Sequence, residues 1–209
     1  QVTGASGYVG FEIVHQLLEA GYLVRGSARG SKFEGLKNAL ARFPNFEAVE
    51  IQDVSTADFS DAFKGVQAVI HTAAPVPTRL DKTNTTMKVH VSYGYLNVVR
   101  QAHKAGVKKL VVTSSITSYP IDWNSVTEEQ AASGNPWFLY GAQKKFGDQA
   151  VIEYAKSHPE IDVTICMWSI TFPLSTPIRG LPRLTLIHFS KFIFQLRFRS
   201  FSLSLSLLT

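Results

Sequence analysis

The stretch Val2-Thr3-Gly4-Ala5-Ser6-Gly7-Tyr8-Val9-Gly10 sets three glycines, at positions 4, 7 and 10, directly ahead of a helical pattern. Gly4 permits a tight turn off a first strand. Gly7 lets the backbone approach a pyrophosphate with no Cβ in the way, and Gly10 lets the new helix pack close to a sheet. The helix N-terminus adds unpaired N–H groups and the positive end of its dipole. A glycine triplet by itself also fits a plain strand-to-helix turn, so its neighbours decide between the two.

After the turn, Ile13, Val14, Leu17 and Leu18 recur at helical spacing and the pattern stops at Gly21. Residues 22–28 then read as a second strand, which completes one βαβ unit. Ahead of the turn stand only Gln1 and Val2, whereas a buried strand usually takes about five or six residues. The first residue is not methionine, so the N-terminus is expected to be truncated and the first strand incomplete.

The end of the second strand carries a choice of ligand. A protein preferring NAD places an acid about 20 residues past the glycines, to hold the ribose 2′-hydroxyl. Here Arg25-Gly26-Ser27-Ala28-Arg29-Gly30-Ser31-Lys32 contains no acid. Arg29 and Lys32 stand where a 2′-phosphate would lie, and a guanidinium can grip that dianion with two hydrogen bonds while stacking on adenine. Solvated loop bases would look the same singly; the missing acid and the two bases together point to NADP.

The alternation continues. Residues 33–43 read as a helix, 46–51 as a strand running into Gln52-Asp53-Val54, and 58–64 as a short helix closed by Gly65. Asp53 is a candidate acceptor for the adenine amino group, although an Asp after a strand also serves local turns. Ala68-Val69-Ile70-His71-Thr72-Ala73-Ala74-Pro75 reads as an apolar fourth strand, with His71 as a packed strand residue. The small side chains of Thr72, Ala73 and Ala74 would leave room for a cofactor, and Pro75 halts the ladder. A long helix over 84–105, a strand over 109–113 and a sixth strand over 162–166 follow. Strands alternating with helices predict an α/β fold: a doubly wound parallel sheet of the Rossmann type, with its ligand across the carboxyl ends of the strands.

Composition narrows the function classes. With 209 residues, 45% hydrophobic and 18% charged, the chain can bury one sizeable core. The single cysteine, Cys166, excludes an internal disulfide and fits a reducing compartment. Six histidines show no metal-ligand spacing, so no metal is expected. The net charge of +5 is spread along the chain, which argues against nucleic acid as a partner. No uncharged apolar run of spanning length is present, and a soluble cytoplasmic protein is expected.

The fifth strand ends in Thr113-Ser114-Ser115, and Tyr140-Gly141-Ala142-Gln143-Lys144 opens a later helix. Four residues apart, Tyr140 and Lys144 share one helix face. An ammonium near the phenol favours the phenolate, lowering a pKa that starts near 10. Such a tyrosine can hand a proton to a carbonyl oxygen as a hydride arrives, with Ser115 holding that oxygen and Lys144 also reaching the nicotinamide ribose. A Tyr-x-x-x-Lys pair alone arises readily by chance; its position after the fifth strand and a serine gives it weight.

Together these elements resemble the extended short-chain dehydrogenase/reductase family, within the NAD-dependent epimerase/dehydratase superfamily, and most of all its NADPH-dependent ketone, aldehyde and dihydroflavonol reductases. The resemblance rests on residues 3–10, the Arg29 region, Asp53-Val54, residues 71–75, Thr113-Ser114-Ser115 and Tyr140 to Lys144. It implies a catalytic triad of Ser115, Tyr140 and Lys144, with Ser114 the lesser candidate, and hydride transfer from NADPH to a small carbonyl substrate. It further implies NADP(H) contacts from Gly4, Ser6, Gly7, Tyr8, Val9, Gly10, Arg29, Lys32, Asp53, Val54, Thr72, Ala73, Ala74, Tyr140 and Lys144.

The likeness ends near Cys166, so residues 1–166 are expected to form the cofactor domain and 167–209 an atypical tail. From Leu181 onward the chain has no acids, and residues 200–208 alternate serine with apolar side chains. This tail is expected to be disordered or not native coding sequence, with the family's small substrate-binding domain absent. An inactive reductase fragment and a non-catalytic dinucleotide-binding protein on the same fold are the alternatives to an enzyme. Alone, the chain is expected to be poorly soluble and without NADPH-dependent reductase activity.

Overall fold

Strands and helices alternate in the order β1 (Val2–Thr3), α1 (Tyr8–Glu19), β2 (Val24–Ala28), α2 (Ser31–Ala39), β3 (Phe46–Glu50), β4 (Ala68–His71), α3 (Met87–Lys104), β5 (Lys109–Ser115), α4 (Pro136–Ser157) and β6 (Asp162–Trp168). They come from a computed structural model that describes residues 1–74, 87–115, 118 and 136–168, all within one compact unit, Gln1–Thr171. The six strands form one sheet in the order β3-β2-β1-β4-β5-β6, and every neighbouring pair is parallel. The chain steps outward from β1 through β2 to β3, then returns and steps the other way from β4 to β6. With right-handed crossovers, that reversal puts α1 and α2 on one face and α3 and α4 on the other. The switch point lies between β1 and β4, and at the strands' carboxyl ends there a doubly wound sheet generally binds its ligand.

The short first strand nevertheless fills the central position. Val2 pairs with Gly26 on one side and Ile70 on the other, and Thr3 pairs with His71. The ladder runs past the two strand residues: Ile70 N–H donates to Gln1 O (2.8 Å), Thr72 N–H to Thr3 O (3.3 Å) and Ala5 N–H to Ser27 O (2.9 Å). Neighbouring valines therefore stay covered, Val24 at 4% exposure and Val69 at 0%.

Two helices differ from their sequence reading. The second ends at Ala39, short of Phe43, because residues 40–43 close in tighter turns, with Phe43 N–H donating to Leu40 O ahead of Pro44. Residues 58–64 form turns instead of a helix. Asp58 Oδ1 accepts from both the amide and the hydroxyl of Ser60 (2.8 and 2.6 Å), a local bond that competes with helix formation. Arg25 Nη1 donates to the carbonyls of Ala62 and Lys64 (3.0 and 2.9 Å), while its Nε donates to Glu47 (2.6 Å). Arg25 thereby ties the segment to β2, and the stacked, fully buried rings of Phe59 and Phe63 anchor it in the core.

That core lies between the sheet and the α3–α4 pair, built from Phe59, Phe63, Val69, Tyr95, Val98, Val99, Val112 and Val151 among others. β6 runs two residues beyond Cys166, and Met167 and Trp168 pair with Ser114 and Ser115. Cys166 is unpaired, and burial pushes its thiol up to about 11. Pro75, the start expected for the third helix at residue 84 and the tail from 169 onward lie outside the described residues.

Candidate active site

The glycine turn is built as a cradle. Gly4 has φ of 68°, and a Cβ there would lie 2.8 Å from the Ala73 backbone. A Cβ on Gly10 would stand 2.3 Å from Gly4 O and 2.7 Å from Thr72 Oγ1, so only glycine lets α1 start this close to the sheet. Gly7 caps α1 with no side-chain hydrogen bond, and the first turn carries no acid, which leaves the helix N-terminus open to an anion. Thr72 Oγ1 donates to Thr3 O (2.7 Å) and fixes the start of the Thr72-Ala73-Ala74 segment against this turn. Ser6 and Val9 are half-buried, and Tyr8 is 72% exposed at the rim.

Arg29 and Lys32 follow β2 at its carboxyl end, both exposed. Among the described residues neither has a side-chain hydrogen bond or ion pair. Asp53 is occupied locally, its Oδ1 accepting from the amide and hydroxyl of Ser55 (2.8 and 2.7 Å). Val54 packs against the core, and its carbonyl accepts from Asn97 Nδ2 (2.9 Å).

At the carboxyl end of β5, Ser115 is 2% exposed and Lys144 is 5% exposed. The Lys144 ammonium lies 5.9 Å from the Tyr140 ring centroid. It donates to the Tyr95 hydroxyl at 2.8 Å and to the Thr113 carbonyl at 2.9 Å. Among the described residues, two of its three N–H donors are thus held by protein and the third has no partner. Burial lowers the lysine to about 8, and the Asp148 carboxylate nearby opposes that fall.

Tyr95 and Asp148 escaped the sequence reading. Asp148 is four residues past Lys144, so helix spacing could have found it; Tyr95, on α3, is brought in only by the α3–α4 packing. Its ring fits because α4 has no side chain at Gly147, where a Cβ would touch three ring atoms at 3.1 Å. Burial first, then the charges of Asp148 and Tyr140, keep the Tyr95 hydroxyl protonated well above the usual phenol range. Asp148 Oδ2 accepts a short hydrogen bond from Ser114 Oγ, which engages that serine away from Ser115. Asp148 Oδ1 is buried, with no hydrogen-bond partner among the described residues. Burial raises this carboxyl to about 6, against the lowering effects of Ser114 and Lys144.

His71 closes the network below. Its Nδ1 lies 2.7 Å from Thr3 Oγ1, and its ring meets Tyr95 edge-on at 5.0 Å. Burial, then the Lys144 charge, lowers it to about 3, so it is neutral at any ordinary pH. As its strand position suggested, it is a packed residue.

The chain is similar to known reductases. The chain is 31% identical over 181 residues to the dihydroflavonol 4-reductase of Zea mays, covering 78% of this chain and 50% of that protein. It is 29% identical over 185 residues to ketoreductase adrE of Penicillium rubens, covering 80% of this chain and 55% of that protein. Among solved structures, the yeast methylglyoxal/isovaleraldehyde reductase complexed with NADPH superposes with a TM-score of 0.68 at 26% identity, over 79% of this chain and 55% of that one. The chain thus spans about half the length of the relatives it matches. Its residues 1–172 match the NAD dependent epimerase/dehydratase family, and with that match, the parallel sheet order and the glycine cradle, the chain belongs to that family.

Proposed function

We propose that this chain carries the cofactor site and catalytic groups of an NADPH-dependent carbonyl reductase acting on a ketone, aldehyde or dihydroflavonol-like substrate. The observation that carries the reading is the Lys144 ammonium, buried beside the Tyr140 ring and fixed by Tyr95 and Thr113 with one donor to spare.

The residues present fit NADPH. The Gly4 to Gly10 turn has the missing Cβ atoms and open helix N-terminus that a pyrophosphate needs. Arg29 and Lys32 supply positive charge at the end of β2 for a 2′-phosphate. When bound, NADPH supplies the hydride that goes to the carbonyl carbon. Tyr140 gives its phenolic proton to the carbonyl oxygen, which becomes the hydroxyl of the product. Ser115 holds that oxygen by hydrogen bonding, the spare Lys144 donor holds the ribose, and the ammonium charge stabilises the phenolate left behind. Asp148 keeps Lys144 charged, and Tyr95 fixes where the charge sits; both are positioning residues.

The test is carbonyl-dependent oxidation of NADPH by the chain extended to its relatives' length. Turnover that needs Tyr140 and Lys144 supports the proposal. Tight NADPH binding with no turnover of any carbonyl substrate would assign the site to a dinucleotide-binding protein instead.

A further inference from the structure

At the opposite end of α4 from Tyr140, three metal-ligating side chains meet that the sequence keeps apart. His103 lies near the end of α3, His158 follows the last residue of α4, and Glu160 sits in the turn before β6. One donor atom from each lies within 4.8 Å of the other two. His103 Nε2 and Glu160 Oε1 are 2.9 Å apart, and the two imidazole centroids are 5.0 Å apart at 75°.

Tyr154 orients both imidazoles. Its carbonyl lies 2.8 Å from His158 Nδ1. A carbonyl can only accept, so that nitrogen carries the proton, and the neutral ring keeps its lone pair on Nε2. Its hydroxyl lies 2.9 Å from His103 Nδ1. Without an ion, His103 Nε2 carries the proton that the Glu160 carboxylate accepts; a phenol can accept as well as donate, so when an ion takes Nε2, His103 can hold its proton on Nδ1 toward Tyr154. Metal-binding histidines are usually oriented this way, through the ring nitrogen that does not touch the ion. The Tyr154 ring also stacks on His158 at 4.0 Å, which fixes that ring's plane.

We propose that His103, His158 and Glu160 form a binding site for a divalent ion of the zinc class, with water as a further ligand. Two imidazoles and one carboxylate suit Zn²⁺, whereas Mg²⁺ and Ca²⁺ take sets of oxygens. Ligands at about 2.0–2.1 Å from a tetrahedral ion stand roughly 3.4 Å from each other, so the His103–Glu160 pair, 2.9 Å apart, must open by about half an ångström while the wider separations, within 4.8 Å, close. Glu160 can make that movement, because its side chain is 50% exposed and also gives the ion a way in. Its carboxylate offsets the charge of Arg100, whose guanidinium lies 5.9 Å from the Tyr154 ring. At 1.5 Å per residue, α4 separates His158 from Tyr140 by about 27 Å. The ion therefore clips the end of α3 to the turn between α4 and β6 and takes no part in carbonyl chemistry.

The experiment is calorimetric titration of the whole chain with ZnCl₂, paired with visible absorption of the Co²⁺-loaded protein. One saturable ion per chain is expected, with a rise in melting temperature. His103→Gln should abolish binding, and Glu160→Gln, at an exposed position that leaves the fold intact, should weaken it at least tenfold and remove the thermal shift. His15→Ala, removing a histidine beside Glu19 on α1, should change nothing. If His103→Gln unfolds the chain, Glu160→Gln still decides. Absence of saturable binding, or binding of equal strength in Glu160→Gln, overturns the proposal.

Discussion

The Lys144 ammonium donates to the Tyr95 hydroxyl at 2.8 Å, linking α4 to α3 through a buried phenol. Both groups lie within the core wall, so removing the acceptor leaves a buried N–H donor without its partner. Tyr95→Phe keeps the ring against Gly147 and should cost about 1–3 kcal/mol of stability. Urea unfolding monitored by circular dichroism measures it, with a lower midpoint and an unchanged slope. A midpoint equal to that of the unmutated chain would mean that Lys144 does not depend on Tyr95.

The pH dependence follows from the same cluster. Lys144 loses its proton at about 8 in the fold against 10.5 when exposed, so the unfolded chain holds more protons between those values and stability rises with pH there. Asp148 moves the other way, from 3.8 to about 6, so the folded chain holds more protons in that window and stability falls as pH rises through it. Between about 6 and 8 both are charged, and the pair costs the fold most in the range where Lys144 can grip a cofactor. NADPH affinity should fall above about pH 8. Lys144 is faced by Asp148, Tyr95, His71, Tyr140 and the Thr113 carbonyl, and Asp148 is the only carboxylate among them. Asp148→Asn should therefore move the fall to lower pH. Fluorescence titrations with NADPH across a pH series read both midpoints, and an unmoved midpoint in the variant contradicts the role given to Asp148.

In the proposed reading, cofactor choice rests on Arg29 and Lys32. NADPH should bind at least tenfold more tightly than NADH, a difference of about 1.4 kcal/mol. Arg29→Ala should erase most of that preference and leave NADH affinity nearly unchanged. Equal affinities for the two cofactors in the unmutated chain would sink the assignment.

Periodicity was enough to find the parallel sheet, because helices with apolar faces and strands of Val and Ile carry their positions locally. The glycine spacing likewise marked the cradle, since the positive φ of Gly4 and the close approach at Gly10 each demand a residue with no Cβ. Residues 58–64 misled, because Asp58 binds the amide and hydroxyl of Ser60 and because Arg25, whose reach across the sheet has no local trace, holds the carbonyls of Ala62 and Lys64. Tyr95 was illegible for the same reason: its hydroxyl matters only once α3 and α4 pack and Gly147 makes room. The two-residue strand β1 was underestimated because strand length was counted on its own residues, whereas its ladder borrows Gln1 O and Ala5 N–H.

The central claim is that Tyr140 gives the proton while the rest of the site holds the cofactor. Single-turnover hydride transfer from NADPH to a carbonyl substrate tests it most directly, comparing Tyr140→Phe with the unmutated sequence in the chain extended to its relatives' length. The account predicts NADPH affinity within about twofold of the unmutated protein and hydride transfer slower by roughly 10²-fold or more. Hydride transfer at the unmutated rate in Tyr140→Phe would contradict it.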